Sequence, residues 1–230
     1  MINVIFILFI ITETKMEKGL IYLMNFQKYG AIILFALIIA LSCQISKTEA
    51  AGVLEPASEE NQVYLLQEQL LKMGYLQTSP TGYYGPATEG AVKEFQQDTG
   101  LGIDGRVGAR TYKQLINVEQ MARVVNGEAR GETYEGKVAV ASVILNRLES
   151  PGFPKTVSAV ISQTNAFTCM DDGQYNLTPN HSAYQAVIDA FQGWDPSSGS
   201  VYYYNSSIAT NEWIFTRSTV KRIGNHLFAR

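Results

Sequence analysis

The sequence has few residues of the kinds that bind metals or form disulfide bonds. Only two of its 230 residues are cysteine and two are histidine. Cys43 lies in an N-terminal segment that we expect to be removed, so Cys169 would remain alone and could form no internal disulfide. His181 and His226 do not have the H-x-x-x-H spacing of zinc sites, and the sequence has no closely spaced pair of cysteines. We therefore expect no metal and no other cofactor.

Charged residues are also scarce. Asp, Glu, Lys and Arg make up 17% of the chain, and the formal net charge is -3. There is no basic excess and no run of lysine and arginine, which argues against nucleic acid as a partner. Aromatic residues are plentiful instead, with 13 Tyr, 10 Phe and 2 Trp. Such rings suit flat, amphipathic ligands such as sugars.

The N-terminus contains two apolar runs, at residues 2–11 and 31–41. Lys28 precedes the second run, and small residues follow it near Ala50, a pattern typical of a secretory signal. We expect translation to begin at Met24, residues 1–50 to be a signal region cleaved near Ala50, and the chain to be exported. Membrane contact is expected only through this segment. The alternative is an uncleaved anchor.

Residues 51–62 have the composition of a short exposed linker, and residues 63–116 follow as a first domain with three predicted helices. One helix stops at Gly74, the second ends near Gly100, and the third is short. A G-x-x-G-x-x-T frame occurs twice, starting at Gly82 and at Gly105, each time just before a helix. Glycines permit a tight turn, and the threonine can cap or brace the helix start.

This first domain resembles the small three-helix peptidoglycan-binding domain found on many wall hydrolases. The resemblance implies docking onto glycan or peptide stems, with Tyr83, Tyr84 and Arg106 at the turns that border the groove. The matching residues are Leu66-Gln67, Leu70, Gly74-Tyr75-Leu76, Gly82 through Thr88, Ala91-Val92, Phe95-Gln96, Gly100-Leu101, Asp104-Gly105, Gly108 and Thr111.

A second domain is predicted for residues 117–230, and its first helix, at 118–128, carries a carboxylate in an unusual place. Met121, Val124 and Val125 repeat at helical spacing, and the next position on that face is Glu128. Burial disfavours the charged form of a carboxyl group, and a carboxyl that stays protonated near neutrality is what a general acid needs. The alternative is that Glu128 only ends the helix and points to solvent.

The rest of the second domain is predicted to be mainly helical. Thr133 is a plausible N-cap for a helix that ends before Pro151, and one further turn is expected at residues 157–161. A capping-box pattern at residues 182–185 predicts another helix. Short strands are predicted at residues 201–205 and 213–215, so the fold class is mostly α (α+β).

The second domain resembles the catalytic domain of spore cortex-lytic enzymes of the SleB type, the cell-wall hydrolase family. The resemblance implies a lysozyme-like, lytic-transglycosylase-like fold with Glu128 at the position of the family's catalytic glutamate. It also implies cleavage of the β-1,4 bond between N-acetylmuramic acid and N-acetylglucosamine, with a 1,6-anhydro product. The matching residues include Glu128-Ala-Arg130-Gly-Glu132, Tyr134-Glu-Gly136, Asn146-Arg147, Asp172-Gly173, Tyr202-Tyr-Tyr-Asn205, Trp213 and Ile223-Gly-Asn-His226.

The resemblance places the protein outside the cell, in the spore cortex at the outer face of the inner spore membrane, acting on peptidoglycan during germination. A regulatory or stabilising protein partner is left open. Within enzymes, the alternatives are a hydrolytic muramidase and an N-acetylmuramoyl-L-alanine amidase. Outside enzymes, the alternative is a non-catalytic wall-binding protein. Cys169 is expected to be a small buried residue, the alternative being a nucleophile paired with a histidine.

A transglycosylase needs only one acid/base, whereas other glycosidases generally use two carboxylates. Glu132 is expected to lie on another face and to pair with Arg130 or Arg123. Asp171 and Asp172 are the other credible candidates for a second carboxylate. The alternative is that they only form a polar turn.

Further residues are candidates for binding the sugar chain. Thr168, Tyr204 and Asn205 could stabilise positive charge or hold the N-acetyl group, and Phe167 and Trp213, with Tyr202, could form cleft walls. Because side chains alternate along a strand, either Tyr202 and Tyr204 or Tyr203 alone can face the cleft.

Overall fold

The computed structural model describes residues 53–55 and 59–230. The predicted signal region, residues 1–50, lies outside these residues, as does part of the predicted linker. The described part is mostly helical with a small sheet, as expected, and none of its helices is both long and apolar enough to span a membrane. The α-helices are α1 (Glu60–Met73), α2 (Pro86–Asp98), α3 (Ala109–Ala129), α4 (Tyr134–Glu149), α5 (Val157–Ile161) and α6 (His181–Phe191). The strands are β1 (Tyr202–Asn205), β2 (Thr219–Ile223) and β3 (His226–Ala229), and short 3-10 helices occupy Thr168–Met170, Gln174–Asn176 and Glu212–Thr216.

Gln67, a buried residue of α1, holds the first G-x-x-G-x-x-T turn in place. Its amide nitrogen donates to the Tyr83 carbonyl (2.9 Å) and to Thr88 Oγ1 (2.8 Å). Its amide oxygen accepts from the backbone N–H groups of Thr81 (2.7 Å) and Gly82 (2.9 Å). One side chain therefore satisfies four polar groups of the turn, which would otherwise be costly to bury.

Gln96 on α2 makes the equivalent set of contacts with the second copy of the frame. Its nitrogen donates to Asp104 Oδ1 (2.8 Å), to the Arg106 carbonyl (3.0 Å) and to Thr111 Oγ1 (3.1 Å). Its oxygen accepts from the N–H groups of Asp104 (3.0 Å) and Gly105 (2.9 Å). The sequence repeat is thus a structural repeat, in which a glutamine on the preceding helix holds each turn.

The third helix of the first domain and the first helix of the second are one helix, α3. Two helices were expected here, with a boundary at residues 116–117, but a single helix runs through that position. No proline or glycine interrupts it between Ala109 and Asn126, and Leu115, Val118 and Met121 are all buried. The two domains are also joined by a hydrogen bond from the Gln185 side chain to the Met73 carbonyl (3.0 Å).

Two residues of the predicted linker, Leu54 and Glu55, contact the first domain and are only partly exposed, whereas Val53 and residues 59–62 are exposed as expected. Leu54 and Val107 exchange both backbone hydrogen bonds, at 3.0 and 2.9 Å. Glu55 forms an ion pair with Arg106. Helix α1 begins at Glu60, so it includes the last residues that the composition assigned to the linker.

The ends of the helices in the second domain follow local capping. The Thr133 hydroxyl accepts from the Gly136 N–H, which confirms the predicted N-cap of α4, and α4 ends before Pro151. The short helix α5 is also confirmed. The helix predicted from the pattern at residues 182–185 is confirmed as α6, but the capping box itself is wrong, because α6 begins earlier and Asn180 caps it by accepting from the Ala183 N–H (3.0 Å).

The sheet has the antiparallel order β1-β3-β2, and only β1 was predicted. The segment at residues 213–215 forms a 3-10 helix instead of a strand, because the Asn211 side chain accepts from the Trp213 N–H and starts a helical turn. Strands β2 and β3 form a hairpin whose tip is Gly224-Asn225. All residues of β2 except Ile223 are exposed, so the strand lacks the alternation by which a half-buried strand is predicted.

Candidate active site

Glu128 lies on the last turn of α3 and accepts three hydrogen bonds. Its Oε1 accepts from Thr168 Oγ1 (3.0 Å) and from the Cys169 N–H (2.7 Å), and its Oε2 accepts from the Tyr203 hydroxyl (2.9 Å). The side chain is half-buried, below a stripe of fully buried apolar residues. The helix does end one residue later, at Ala129, but the carboxylate is fixed in a polar cluster rather than free in solvent.

Gly127 allows the loop that carries two of these donors to reach the helix. A Cβ atom at this position would stand 2.5 Å from the Cys169 Cβ, closer than atoms can pack. The 3-10 helix Thr168–Met170 can therefore contact α3 only because residue 127 is glycine. Gly127 directly precedes Glu128 in the sequence, but the residue that it must accommodate, Cys169, is 42 positions further along the chain.

Cys169 contributes its backbone to the site and not a reactive thiol. The side chain is 0% exposed, and burial together with the neighbouring Glu128 raises the pKa of the thiol far above its ordinary value. The nucleophilic form of cysteine is the thiolate, so this environment does not suit a nucleophile. The structure thus agrees with the expectation of a small buried residue.

Tyr203 is the tyrosine of β1 that faces Glu128, which resolves the alternation left open by the sequence. Its ring packs against His226 (5.1 Å between ring centroids) and Phe228 (5.9 Å). Burial of the hydroxyl, followed by the charge of Glu128 and their hydrogen bond, raises the pKa of the Tyr203 hydroxyl well above its ordinary value. The hydroxyl therefore remains a hydrogen-bond donor across the physiological pH range.

Tyr202 and Tyr204 lie on the opposite face of β1. Tyr204 makes an edge-to-face contact with Phe215 (5.5 Å), and Tyr202 makes one with Trp213 (5.2 Å). The ring of Trp213 is 46% exposed. The candidate binding residues Tyr204 and Trp213 thus form an aromatic surface that is separated from Glu128 by the strand.

Two further candidates have structural surroundings that do not fit the roles expected for them. Phe167 is 2% exposed and lies beneath the Arg147 guanidinium (4.9 Å from the ring centroid), so it is not a cleft wall. Asn205 uses its side-chain oxygen to accept from the Ser207 N–H (3.0 Å), which shapes the turn after β1. Thr168, by contrast, is exposed and bonded to Glu128.

Glu132 binds the tip of the β2–β3 hairpin rather than an arginine. It accepts from the Asn225 N–H (3.1 Å) and from the Asn225 side-chain amide (2.9 Å). Partial burial opposes its ionisation, but these hydrogen bonds and the nearby His226 outweigh burial and lower the pKa of Glu132. The expected pairing with Arg123 or Arg130 is wrong: Arg123 binds Glu119, and Arg130 donates to a glutamine amide oxygen.

The two aspartates that could have supplied a second carboxylate lie in an exposed turn. Asp172 accepts from the N–H (2.9 Å) and the side-chain amide (2.7 Å) of Gln174, and these hydrogen bonds lower its pKa. Asp171 is exposed in the same turn. Within residues 53–55 and 59–230, no second carboxylate takes part in the hydrogen bonds of the Glu128 side chain.

The three expected wall-docking residues of the first domain have different surroundings. Tyr83 is 72% exposed, as a docking residue should be. Tyr84 is 2% exposed and donates its hydroxyl to the Gly105 carbonyl (2.7 Å), so it ties the two turns together and offers no surface to a ligand. Arg106 is exposed and paired with Glu55.

The two histidines lie in unlike environments. His181 is exposed next to Gly74, and His226 is buried against the ring of Tyr203. In the part of the chain that the structure describes, no group of three or more His, Cys, Asp or Glu side chains is arranged to hold a metal ion.

Comparison with known proteins places these features in a family. A family model for a putative peptidoglycan binding domain matches residues 59–115, and a model for a cell wall hydrolase matches residues 131–229, beginning just after Glu128. The spore cortex-lytic enzyme of Bacillus cereus is 36% identical over 236 residues, covering 82% of this chain and 91% of that protein. The spore cortex-lytic enzyme of Oceanobacillus iheyensis is 34% identical, covering 77% of this chain and 87% of that protein.

Among solved structures, the catalytic domain of a germination-specific lytic transglycosylase from Bacillus anthracis is 53% identical, covering 50% of this chain and 93% of that chain, with a TM-score of 0.48. The match to the Bacillus cereus enzyme extends over nearly all of that protein and includes both kinds of domain. The chain therefore belongs to the spore cortex-lytic enzyme family of cell wall hydrolases.

Proposed function

We propose that this enzyme is a lytic transglycosylase that cleaves the β-1,4 bond between N-acetylmuramic acid and N-acetylglucosamine in the peptidoglycan of the spore cortex. The observation that carries the proposal is the site of Glu128, a half-buried carboxylate fixed by three donors. Hydrolytic glycosidases generally place two carboxylates across the scissile bond, about 5 to 9.5 Å apart. Among the described residues, no second carboxylate shares the hydrogen bonds of Glu128, which supports a mechanism that one carboxyl group can complete.

The reaction follows from the two protonation states of Glu128. The protonated carboxyl gives its proton to the glycosidic oxygen, and the bond to the anomeric carbon of N-acetylmuramic acid breaks. The resulting carboxylate then takes the proton of that sugar's 6-hydroxyl, while the hydroxyl oxygen attacks the anomeric carbon. The products are a 1,6-anhydro end and a free 4-hydroxyl. No water is consumed, and Glu128 is protonated again.

The hydrogen-bond donors around Glu128 stabilise the carboxylate that exists between these two steps. Thr168, the Cys169 N–H and Tyr203 all point hydrogens at the oxygens where negative charge develops, an arrangement that stabilises charge without reorganisation during the reaction. They also fix the orientation of the carboxyl group. Because Thr168 is exposed, we propose that its hydroxyl also contacts the N-acetyl group of a bound sugar.

The remaining binding residues are proposed from their exposure. Tyr83 and Arg106, on the two turns of the first domain, would contact the glycan or its stem peptides. Trp213, which packs edge-to-face on Tyr202, would stack on sugar rings, and Tyr204, on the same face of β1 as Tyr202, would extend this surface. The peptidoglycan substrate implies action outside the cytoplasm, and we propose the cortex side of the inner spore membrane as the location.

Mass spectrometry of digested peptidoglycan tests the reaction. Purified cortex and vegetative sacculi are digested in parallel, and the expected products carry 1,6-anhydro ends. New reducing ends instead of anhydro ends would establish a hydrolytic muramidase, and released stem peptides would establish an amidase.

Substitution of the glutamate tests the assignment of the acid/base. Glu128→Gln is expected to lose product formation while it remains folded. Glu119→Gln is the matched control, because Glu119 lies on the same helix, is half-buried and also accepts a tyrosine hydroxyl, from Tyr184 (2.6 Å). Wild-type activity in the folded Glu128→Gln variant would refute the assignment.

A further inference from the structure

Arg147 is a buried cation, and the need to fill space in the core does not explain why a charged residue occupies this position. The residue is 5% exposed on α4, and its guanidinium lies 4.9 Å from the ring centroid of Phe167, 5.5 Å from that of Phe153 and 6.0 Å from that of Tyr202. Among the described residues it forms no ion pair with a carboxylate, and its Nη1 has no hydrogen-bond partner. An apolar side chain would fill this space without the cost of burying a charge.

The contacts of Arg147 fall on the two segments that hold Glu128. Phe167, beneath the guanidinium, directly precedes Thr168 and Cys169, which donate to Glu128 Oε1. On the other side, Arg147 Nε donates to the carbonyl of Val201 (2.8 Å), two residues before Tyr203. The guanidinium of Arg147 thus contacts both segments within two residues of the groups that donate to Glu128.

Arg147 is also a charged group that interacts with Glu128. Tyr203, Cys169 and His226 interact electrostatically with Glu128 as well. Burial raises the pKa of the Tyr203 hydroxyl and of the Cys169 thiol and lowers the pKa of His226, so all three are neutral near pH 7. A guanidinium keeps its charge in proteins even when burial lowers its pKa.

We propose that Arg147 is a positioning residue for catalysis, which fixes the loop of Thr168 and Cys169 and the strand of Tyr203 in register around Glu128. This inference rests on the proposed role of Glu128 as the acid/base. Guanidinium is suited to the task because its planar face can stack on aromatic rings while its edge donates a directed hydrogen bond, whereas an ammonium group has no planar face to stack. Displacement of a catalytic group by about 1 Å can cost on the order of 100-fold in rate.

The test compares Arg147→Lys and Arg147→Met with Ile144→Val, a control that removes a methyl group from a fully buried position on the same helix. Product release from cortex fragments is measured over a range of substrate concentrations, at a temperature where circular dichroism shows each variant folded. Both Arg147 variants are expected to lose at least tenfold in kcat with KM within twofold of wild type. Ile144→Val is expected to lose stability and to keep its kcat.

Retention of wild-type kcat by either Arg147 variant would overturn the proposal, as would an equal loss of kcat in Ile144→Val. If Arg147→Met does not fold, the comparison rests on Arg147→Lys.

A double variant separates positioning from general destabilisation. If Arg147 acts through Tyr203, the loss of kcat in Arg147→Lys combined with Tyr203→Phe should be smaller than the product of the two single losses. A fully multiplicative loss would contradict the mechanism. Each variant's rate is compared with the wild-type rate for the same product, whether that product carries anhydro or reducing ends. Reducing ends in place of anhydro ends would refute the transglycosylase reaction, whereas the role of Arg147 is decided by the rates alone.

Discussion

Replacement of Tyr203 by phenylalanine removes one hydroxyl and little else. That hydroxyl donates to Glu128 Oε2 at 2.9 Å, and its ring is held independently by His226 and Phe228. Hydrogen bonds to charged groups contribute about 1.5 to 3 kcal/mol. At about 1.4 kcal/mol per factor of ten, the loss corresponds to a decrease in kcat of roughly 10- to 150-fold. Two donors to Oε1 remain, so activity should fall without disappearing.

The assay is the initial rate of anhydro-muropeptide release from cortex fragments at saturating substrate. Tyr184→Phe is the matched control, because it removes a tyrosine hydroxyl that donates to Glu119 (2.6 Å), elsewhere on α3. The control should lose stability while its kcat stays within twofold of wild type.

Two results would refute the reasoning. If Tyr203→Phe retains kcat within twofold of wild type, the hydroxyl does not support the glutamate during the reaction. If Tyr184→Phe loses kcat as strongly as Tyr203→Phe does, the effect belongs to the fold and not to the site.

Three further perturbations test the surroundings of the site. Gly127→Ala is expected to lower kcat at least tenfold and stability by about 1 to 3 kcal/mol, because its Cβ would displace Cys169; normal turnover would contradict this. Gln96→Ala should lower the free energy of unfolding by about 2 to 4 kcal/mol in urea titrations, since two backbone donors lose their acceptor. Glu132 has a lowered pKa, so its stabilising contribution is present above the ordinary glutamate value of about 4.3 and is lost as pH falls through the lowered value. Unfolding measured from pH 6 to 3 should show a smaller acid-induced loss in Glu132→Gln than in wild type; equal losses would count against the Asn225 contact.

The features that sequence analysis predicted well depend on neighbours in the chain. The helical repeat of Met121, Val124 and Val125 extends to Glu128, and the Thr133 cap needs a donor only three residues away. A local interaction also explains why the strand predicted at residues 213–215 is wrong. A hydrogen bond from the Trp213 N–H to the Asn211 side chain outweighs the strand propensity of the aromatic residues.

The features that sequence analysis left undecided or missed depend on distant parts of the chain. Alternation along β1 left two possibilities, and only the placement of β1 against α3 selected Tyr203. Tyr84 was expected to meet a ligand from the resemblance of the first domain, and Phe167 from its aromatic ring, but the folded structure buries both. The hairpin of β2 and β3 gains its hold from Glu132, about 93 residues before its tip.

The sequence alone therefore determined the mainly helical class and the position of Glu128 on an apolar helix face, because these follow from spacing over a few turns of helix. The two kinds of domain followed from the resemblance of each segment to a known family. Tertiary structure alone decided what surrounds that glutamate. Its donors are 40, 41 and 75 residues away along the chain, and they meet it because Gly127 leaves room for one segment and β1 turns a single tyrosine inward. Contacts over such separations depend on the packing of whole elements, which no local pattern encodes.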